Sequence, residues 1–424
     1  MNTASAHHAK RLMLLFTTTG YNAQDFILAA NKLGVEVVLG TDRCRVLEDP
    51  WRDAAIPLRF DTPARTVKAI VAYARKQPLD GLIPIGDKPT VAAAFASKLL
   101  ALPANAPRAA EVCRNKFHSR RALKKAQVPV PFFTSYHIRQ NPRAIAPGVR
   151  YPCVLKPLSL SASQGVIRAN NPTEFESAFQ RIGALLQSPA LQERRNKSHK
   201  HILVEDFIPG REVAVEGMLR RGKLQVLALF DKPDALDGPF FEETLYITPS
   251  RLPLAAQQAI AACTEDATRA LGLSEGPIHA ELRLNDAGPW ILEVAARSIG
   301  GLCSRTLRFG TGMSLEELVI RHALEMEEGP VLRESAAAGV MMIPIPQSGR
   351  FQAVAGIDDA RQIRGIEEVT ITAKIGQMLT SLPEGSSYLG FIFARGSSPG
   401  FVENALRKAH QQLEFTITPE LPVI

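Results

Sequence analysis

The chain has 424 residues, 46% of them hydrophobic and 22% charged, the balance of an ordinary globular protein of roughly two to four domains. Its longest apolar runs, such as Leu12–Phe16 and Gly339–Ile345, fall far short of the roughly 20 residues of a membrane span, and the N-terminal apolar segment is too short for a signal peptide. The net charge of +8 is dispersed, and the one dense basic run, Arg194–His201, lacks the interleaved aromatics that stack bases, so it reads as a solvated loop and nucleic acid is not an expected partner.

Residues 1–8 read as a tail before the first strand. Arg11–Phe16 is a continuous apolar run suited to a buried parallel strand. A turn at Thr17–Gly20 leads to a helix over Asp25–Leu33, which Gly34 can stop. Strands follow at Val35–Leu39 and Gly81–Ile85, with a helix over Thr90–Leu100. This alternation predicts a Rossmann-like parallel sheet over residues 1–106. The G-x-G-x-x-G of a dinucleotide site is missing. Pro103 and Pro107 mark a boundary. A helical stretch runs to Ala126, and Val128-Pro129-Val130-Pro131 leads onward. Residues 107–330 are strand-rich, with helices at Pro172–Leu186 and Pro253–Leu271 and a capping box at Ser314 and Glu317. Beyond Gly329-Pro330, strands at Gly339–Ile345, Leu389–Ala394 and Phe415–Thr418 and a helix from Ser398 to Gln412 predict an α+β domain over residues 331–424. The whole is α/β followed by α+β. The five cysteines, Cys44, Cys113, Cys153, Cys263 and Cys303, form no C-x-x-C pair and are odd in number. They read as reduced, buried thiols in a cytoplasmic protein.

Chemistry concentrates in the middle region. Lys156 ends a short strand, and the small-residue loop that follows, with Ser161, Ser163 and Gly165, can turn backbone N–H groups onto an anion. No P-loop is present. His201–Glu212 reads as strand, Pro-Gly turn and strand. Glu205, Asp206, Phe207 and Ile208 lie before the turn and Glu212 lies after it, an arrangement able to offer backbone groups to a base edge and a carboxylate to sugar hydroxyls. Next come His279-Ala280-Glu281 and Trp290-Ile291-Leu292-Glu293, two strands joined by a loop at 285–289. If Leu284 pairs with Trp290, Glu281 faces Glu293, and two like charges so placed call for a cation. An oxygen-only ligand set suits Mg²⁺, or Mn²⁺ in its place. A one-residue slip would separate them. Arg297 lies just past Glu293 and could bind a carboxylate or an acyl phosphate. Gly300-Gly301 allows close backbone approach. Lys116 could reach a phosphate, and His279 shares the face of Glu281.

In this order the residues resemble the ATP-grasp superfamily. The resemblance implies a precursor domain at the N-terminus and phosphate contacts from Lys116 and Lys156. It also implies an adenine hinge at Glu205–Ile208, a ribose-binding acid at Glu212 and metal-binding acids at Glu281 and Glu293. Many members carry Asn two residues after the second acid, where this chain has Ala295. The E-x-A-A-R sequence followed by Gly-Gly is similar to the L-amino-acid ligase branch, in which the arginine, here Arg297, holds the substrate or its phosphorylated form. The implied activity is ATP- and Mg²⁺-dependent joining of a carboxylate to an amine, with amino acids as the expected substrates, through an acyl phosphate. The small-residue loop would act as a lid. Phe230–Pro233 and Glu242–Thr244 would line the amino-acid pocket, with Glu243 meeting the substrate amine, and a homodimer is the expected assembly by analogy. The competing readings are a purine-pathway or carboxylase-type enzyme and a nucleotide-binding regulator without catalysis. The complete metal pair speaks against the last.

Overall fold

The computed structural model describes residues 9–42, 55–192, 196–329 and 331–419. The expectations for residues 1–8, Cys44 and Arg194-Arg195 lie outside them. Arg11–Phe16 sits at the centre of a four-stranded parallel sheet, between Glu36–Thr41 and Gly81–Pro84, with Ile56–Pro57 at the edge. Leu12, Met13, Leu14 and Leu15 are all fully buried, because helices cover both faces of such a sheet.

The stretch after Pro107 differs from the single helix expected. It forms two helices, Pro107–Cys113 and Lys116–Lys125, because the side chain of Asn115 accepts hydrogen bonds from the N–H groups of Phe117 and His118 and starts a new helix. The break puts Lys116 in a first turn. A four-stranded antiparallel sheet then takes the order Phe133–His137, His201–Asp206, Cys153–Pro157, Ile167–Ala169. Helix Pro172–Leu186 covers it with buried Phe175, Phe179, Ile182 and Leu186.

The largest sheet has eight strands, in the order Gly288–Ala295, Gly276–Asn285, Arg211–Arg220, Lys223–Asp231, Leu245–Thr248, Ala337–Ile343, Gly390–Gly396, Ile366–Ile371. Strands from either side of residue 330 thus share one sheet, joined where Leu245–Thr248 pairs with Ala337–Ile343. Helix Pro399–Gln411 packs on the last strands through buried Val402, Ala405, Leu406 and Ala409. Among the described residues, no helix is long and apolar enough to cross a membrane.

Candidate active site

The hairpin that carries two of the acids closes more tightly than expected. Asn285 pairs with Gly288 around a two-residue turn, and Leu284 faces Pro289 rather than Trp290. Taken alone, that register would separate the acids. A bulge at Leu292 inserts one residue on the second strand, and Glu281 faces Glu293 after all. The carbonyl of the bulged Leu292 accepts a hydrogen bond of 2.8 Å from Arg120.

Both acids face cations. Lys116 Nζ lies 2.7 Å from Glu293 and donates to the carbonyl of Leu160 at 3.0 Å. Glu281 lies 3.6 Å from Lys232 Nζ and 3.7 Å from His279 Nε2. Burial disfavours its charge, but Lys232 and His279 hold the Glu281 carboxyl well below the usual range. Carboxylate oxygens of Glu212, Glu243 and Glu281 lie within 4.8 Å of one another. Lys232 sits among them, 2.8 Å from Glu212 and 2.5 Å from Glu243. Burial would lower the Lys232 ammonium, yet these three carboxylates raise it well above its ordinary value. Burial and the charge of Glu281 push Glu243 up to about 7. Burial alone would lower His279, but its bonds to Glu216, at 3.1 Å, and Glu281 raise it to about 9.

Deeper in the wall, Glu205 is ion-paired to Arg120 at 2.5 Å and to Lys156 at 2.6 Å. Burial pushes the Glu205 carboxyl up, and the two cations overcome it and hold the group down at about 2. Burial lowers the Lys156 ammonium, with Glu205 opposing. Glu212 takes Arg283 at 3.1 Å as well as Lys232. Arg283 also donates to the carbonyl of Ile208 at 2.9 Å, which fixes the hinge backbone. Asp206 pairs outward with Arg150 at 2.6 Å. Phe207 stacks on Phe241, and the guanidinium of Arg168 sits 4.1 Å from its ring centre.

One cavity gathers Lys116, Lys156, Ser161, Ser163, Glu205, Asp206, Phe207, Ile208, Glu212, Glu243, His279, Glu281, Glu293 and Arg297. Gly165 does not line it; its N–H donates to the carbonyl of Pro383 at 2.7 Å. Gly300 and Gly301 line an adjoining cavity with Tyr246 and Tyr388, and Glu243, His279, Glu281 and Arg297 border both. Gly301 has φ +63°, and a Cβ there would meet the Phe391 ring at 2.9 Å. Arg297 donates to Asp87 at 2.9 Å, and Arg114 lies 3.7 Å from the same carboxylate.

Sequence reasoning missed Arg120, Arg283 and Asp87, and named Lys232 only as a member of a pocket-lining stretch. Two of them carried a signal. Arg283 follows Glu281 by two residues and so shares its face. Asp87 follows the end of a parallel strand, the edge at which such sheets bind ligands. Cys113, Cys153, Cys263 and Cys303 are buried, and of these Cys303 lines the second cavity. Burial pushes the thiols of Cys113 and Cys153 up to about 12.

Comparison with known families gives three matches in chain order. Residues 27–104 match the ATP-grasp N-terminal domain, residues 149–306 the ATP-grasp domain, and residues 341–418 the L-amino acid ligase C-terminal domain 2. The crystal structure of L-amino acid ligase from Bacillus licheniformis is 28% identical, with a TM-score of 0.83 over 96% of this chain and 99% of that one. N5-carboxyaminoimidazole ribonucleotide synthetase from Thermotoga maritima, 17% identical with a TM-score of 0.69 over 96% of this chain and all of that one, shares the fold. Alanine–anticapsin ligase of Bacillus subtilis strain 168 is 27% identical over 54% of this chain and 50% of its own length. Matches to three curated relatives span 64%, 50% and 49% of their lengths. The chain therefore carries the domains of the ATP-grasp superfamily in order, and within that superfamily it resembles the L-amino acid ligases.

Proposed function

We propose that the chain joins a carboxylate to an amine, both from amino acids, with ATP as the phosphoryl donor and Mg²⁺ as the metal. The observation that carries this reading is the pair of cavities bordered in common by Glu243, His279, Glu281 and Arg297. One is walled by the lysines and the hinge, the other by Gly300, Gly301 and aromatic side chains. A phosphoryl donor in the first and an acceptor in the second would meet at that border.

The backbone of Glu205–Ile208 would take the adenine edge, and Glu212 the ribose. Lys116, Lys156 and the loop Ser161–Gly165 would hold the phosphates. Glu281 and Glu293 fit a divalent cation, since they face each other across two strands and Glu281 is held as an anion. Glu281 and Glu293 would hold Mg²⁺ there, and the cation would supply charge neutralisation to the phosphates. The carboxylate oxygen of the first substrate attacks the γ-phosphorus, and the bond to the ADP oxygen breaks. Arg297, with Asp87 fixing its direction, would balance charge on the acyl phosphate. The amine nitrogen of the second substrate then attacks the acyl carbon. Phosphate leaves, the amine loses a proton, and Glu243 would orient that amine. Residues 1–106, 107–330 and 331–424 would form the precursor, nucleotide-binding and C-terminal domains.

Hydroxylamine tests the intermediate. With MgATP and the first substrate alone, it should trap the acyl group as a hydroxamate. ADP release without any hydroxamate would argue against an acyl phosphate.

A further inference from the structure

The lid loop is fastened to the C-terminal region at three points. The Gly165 N–H donates to the carbonyl of Pro383 at 2.7 Å. The Gln164 amide donates to the carbonyl of Glu384 at 2.7 Å. Arg181, on the helix that follows the loop, makes a two-bonded pair with the Glu384 carboxylate, at 2.6 and 2.9 Å. A paired guanidinium and carboxylate of this kind fixes direction as well as distance.

The loop is also held in an unfavourable shape. Ala162 and Ser163 are consecutive non-glycine residues at φ +54°, and Gly165 follows at +72°. Side chains rarely adopt that region, and such residues persist where neighbours enforce them. Gly165 is closely confined, since a Cβ there would lie 2.7 Å from the Pro157 ring. The enforcing segment is itself part of the second cavity: Glu384, Ser386 and Tyr388 line it. One short stretch therefore grips the phosphate loop on one side and walls the second cavity on the other.

We infer that Glu384 is a positioning residue that latches the lid, so that the segment 381–388 that walls the second cavity also holds the loop closed over the phosphates. The inference rests on the proposed ligase reading. The latch ties the shape of the loop to that of the second cavity, where the phosphoryl acceptor would sit, and keeps water from the acyl phosphate.

The test uses Glu384→Gln, which keeps the shape and removes the charge, and the exchanged pair Arg181→Glu with Glu384→Arg. Two readouts are needed. The first is amide formed per ADP released. Glu384→Gln should lower that ratio by about fivefold, the factor that an ion pair at the strong end of surface values supports, and the exchanged pair should restore it. The second is hydrogen exchange at the Gly165 amide in the presence of ADP and Mg²⁺, which needs no turnover and stays informative if the ligase reading fails. Exchange should quicken by about the same factor in Glu384→Gln and slow again in the exchanged pair. Unchanged Gly165 exchange in Glu384→Gln would overturn the latch. So would an unchanged product ratio in an enzyme shown to form amides.

Discussion

Glu281 and Glu293 are placed opposite each other by a bulge at one residue, Leu292. If they hold the metal, Glu293→Ala should lower amine-dependent ADP release by about a hundredfold or more, the scale of losing one electrostatic stabiliser. Steady-state kinetics at saturating Mg²⁺ checks this, and wild-type turnover would remove the assignment. Lys232 gives a second prediction. It is the cation among Glu212, Glu243 and Glu281, whose oxygens lie within 4.8 Å of one another. Lys232→Met should destabilise the fold by about 3–5 kcal/mol, the cost of removing one partner from a buried ionic group. Added Mg²⁺ should raise the urea midpoint of that variant more than that of the wild type, since a cation can take the vacated place. Equal responses in the two proteins would show that Lys232 does not compete for that position.

At the level of elements, helix Lys116–Lys125 ties the four-stranded and eight-stranded antiparallel sheets together. Its Arg120 binds Glu205 in the smaller sheet and the carbonyl of Leu292 in the larger one. Arg120→Leu should therefore cost about 3 kcal/mol or more in urea unfolding at neutral pH. A loss within experimental error would show that Lys156 alone satisfies Glu205. The sign with pH follows from the depressed carboxyl. Its folded value, about 2, lies below the ordinary 4.5. The stability it supplies is present in full above about 4.5 and is lost as pH falls toward 2. Wild type and Arg120→Leu should converge in stability over that interval, and a constant gap would assign the loss to packing. The lid offers a fourth prediction. Gly165→Ala adds a Cβ at φ +72° against the Pro157 ring. Opening the loop to relieve that clash should raise the KM for ATP severalfold, and an unchanged KM would mean that the loop does not close on nucleotide.

How much of this could be read from the residues depends on the range of the forces involved. The capping box at Ser314 and Glu317 and the end of helix Leu254–Leu271, where Gly272 turns left-handed, are local events, and the box and the helix end at Leu271 were legible. The acids were legible as a facing pair, though for the wrong register. Hydrophobic alternation does not reveal a single extra residue where apolar residues run together, as Trp290, Ile291 and Leu292 do. Lys232 was invisible as a centre because its carboxylate partners come from three other places in the chain, Glu212, Glu243 and Glu281. Asp87 and Arg297 meet across 210 residues, a pairing that no spacing rule reports.

On the scale of the whole molecule, the region after residue 330 completes the site. Its strands extend the sheet that carries Glu281 and Glu293, and its segment 381–388 reaches back to the lid and the second cavity. The Rossmann-like sheet contributes Asp87, which orients Arg297 from the opposite side. Three parts of the chain thus converge on one border between two cavities, an arrangement suited to a reaction that must bring a phosphoryl group, a carboxylate and an amine together away from water. The most direct test is to incubate the purified protein with MgATP and pairs of amino acids, following ADP by coupled assay and products by mass spectrometry. The account predicts a new amide mass that appears only when both partners are present, with one ADP per amide formed. ADP release that is indifferent to amino acids, with no amide from any pair, would contradict it.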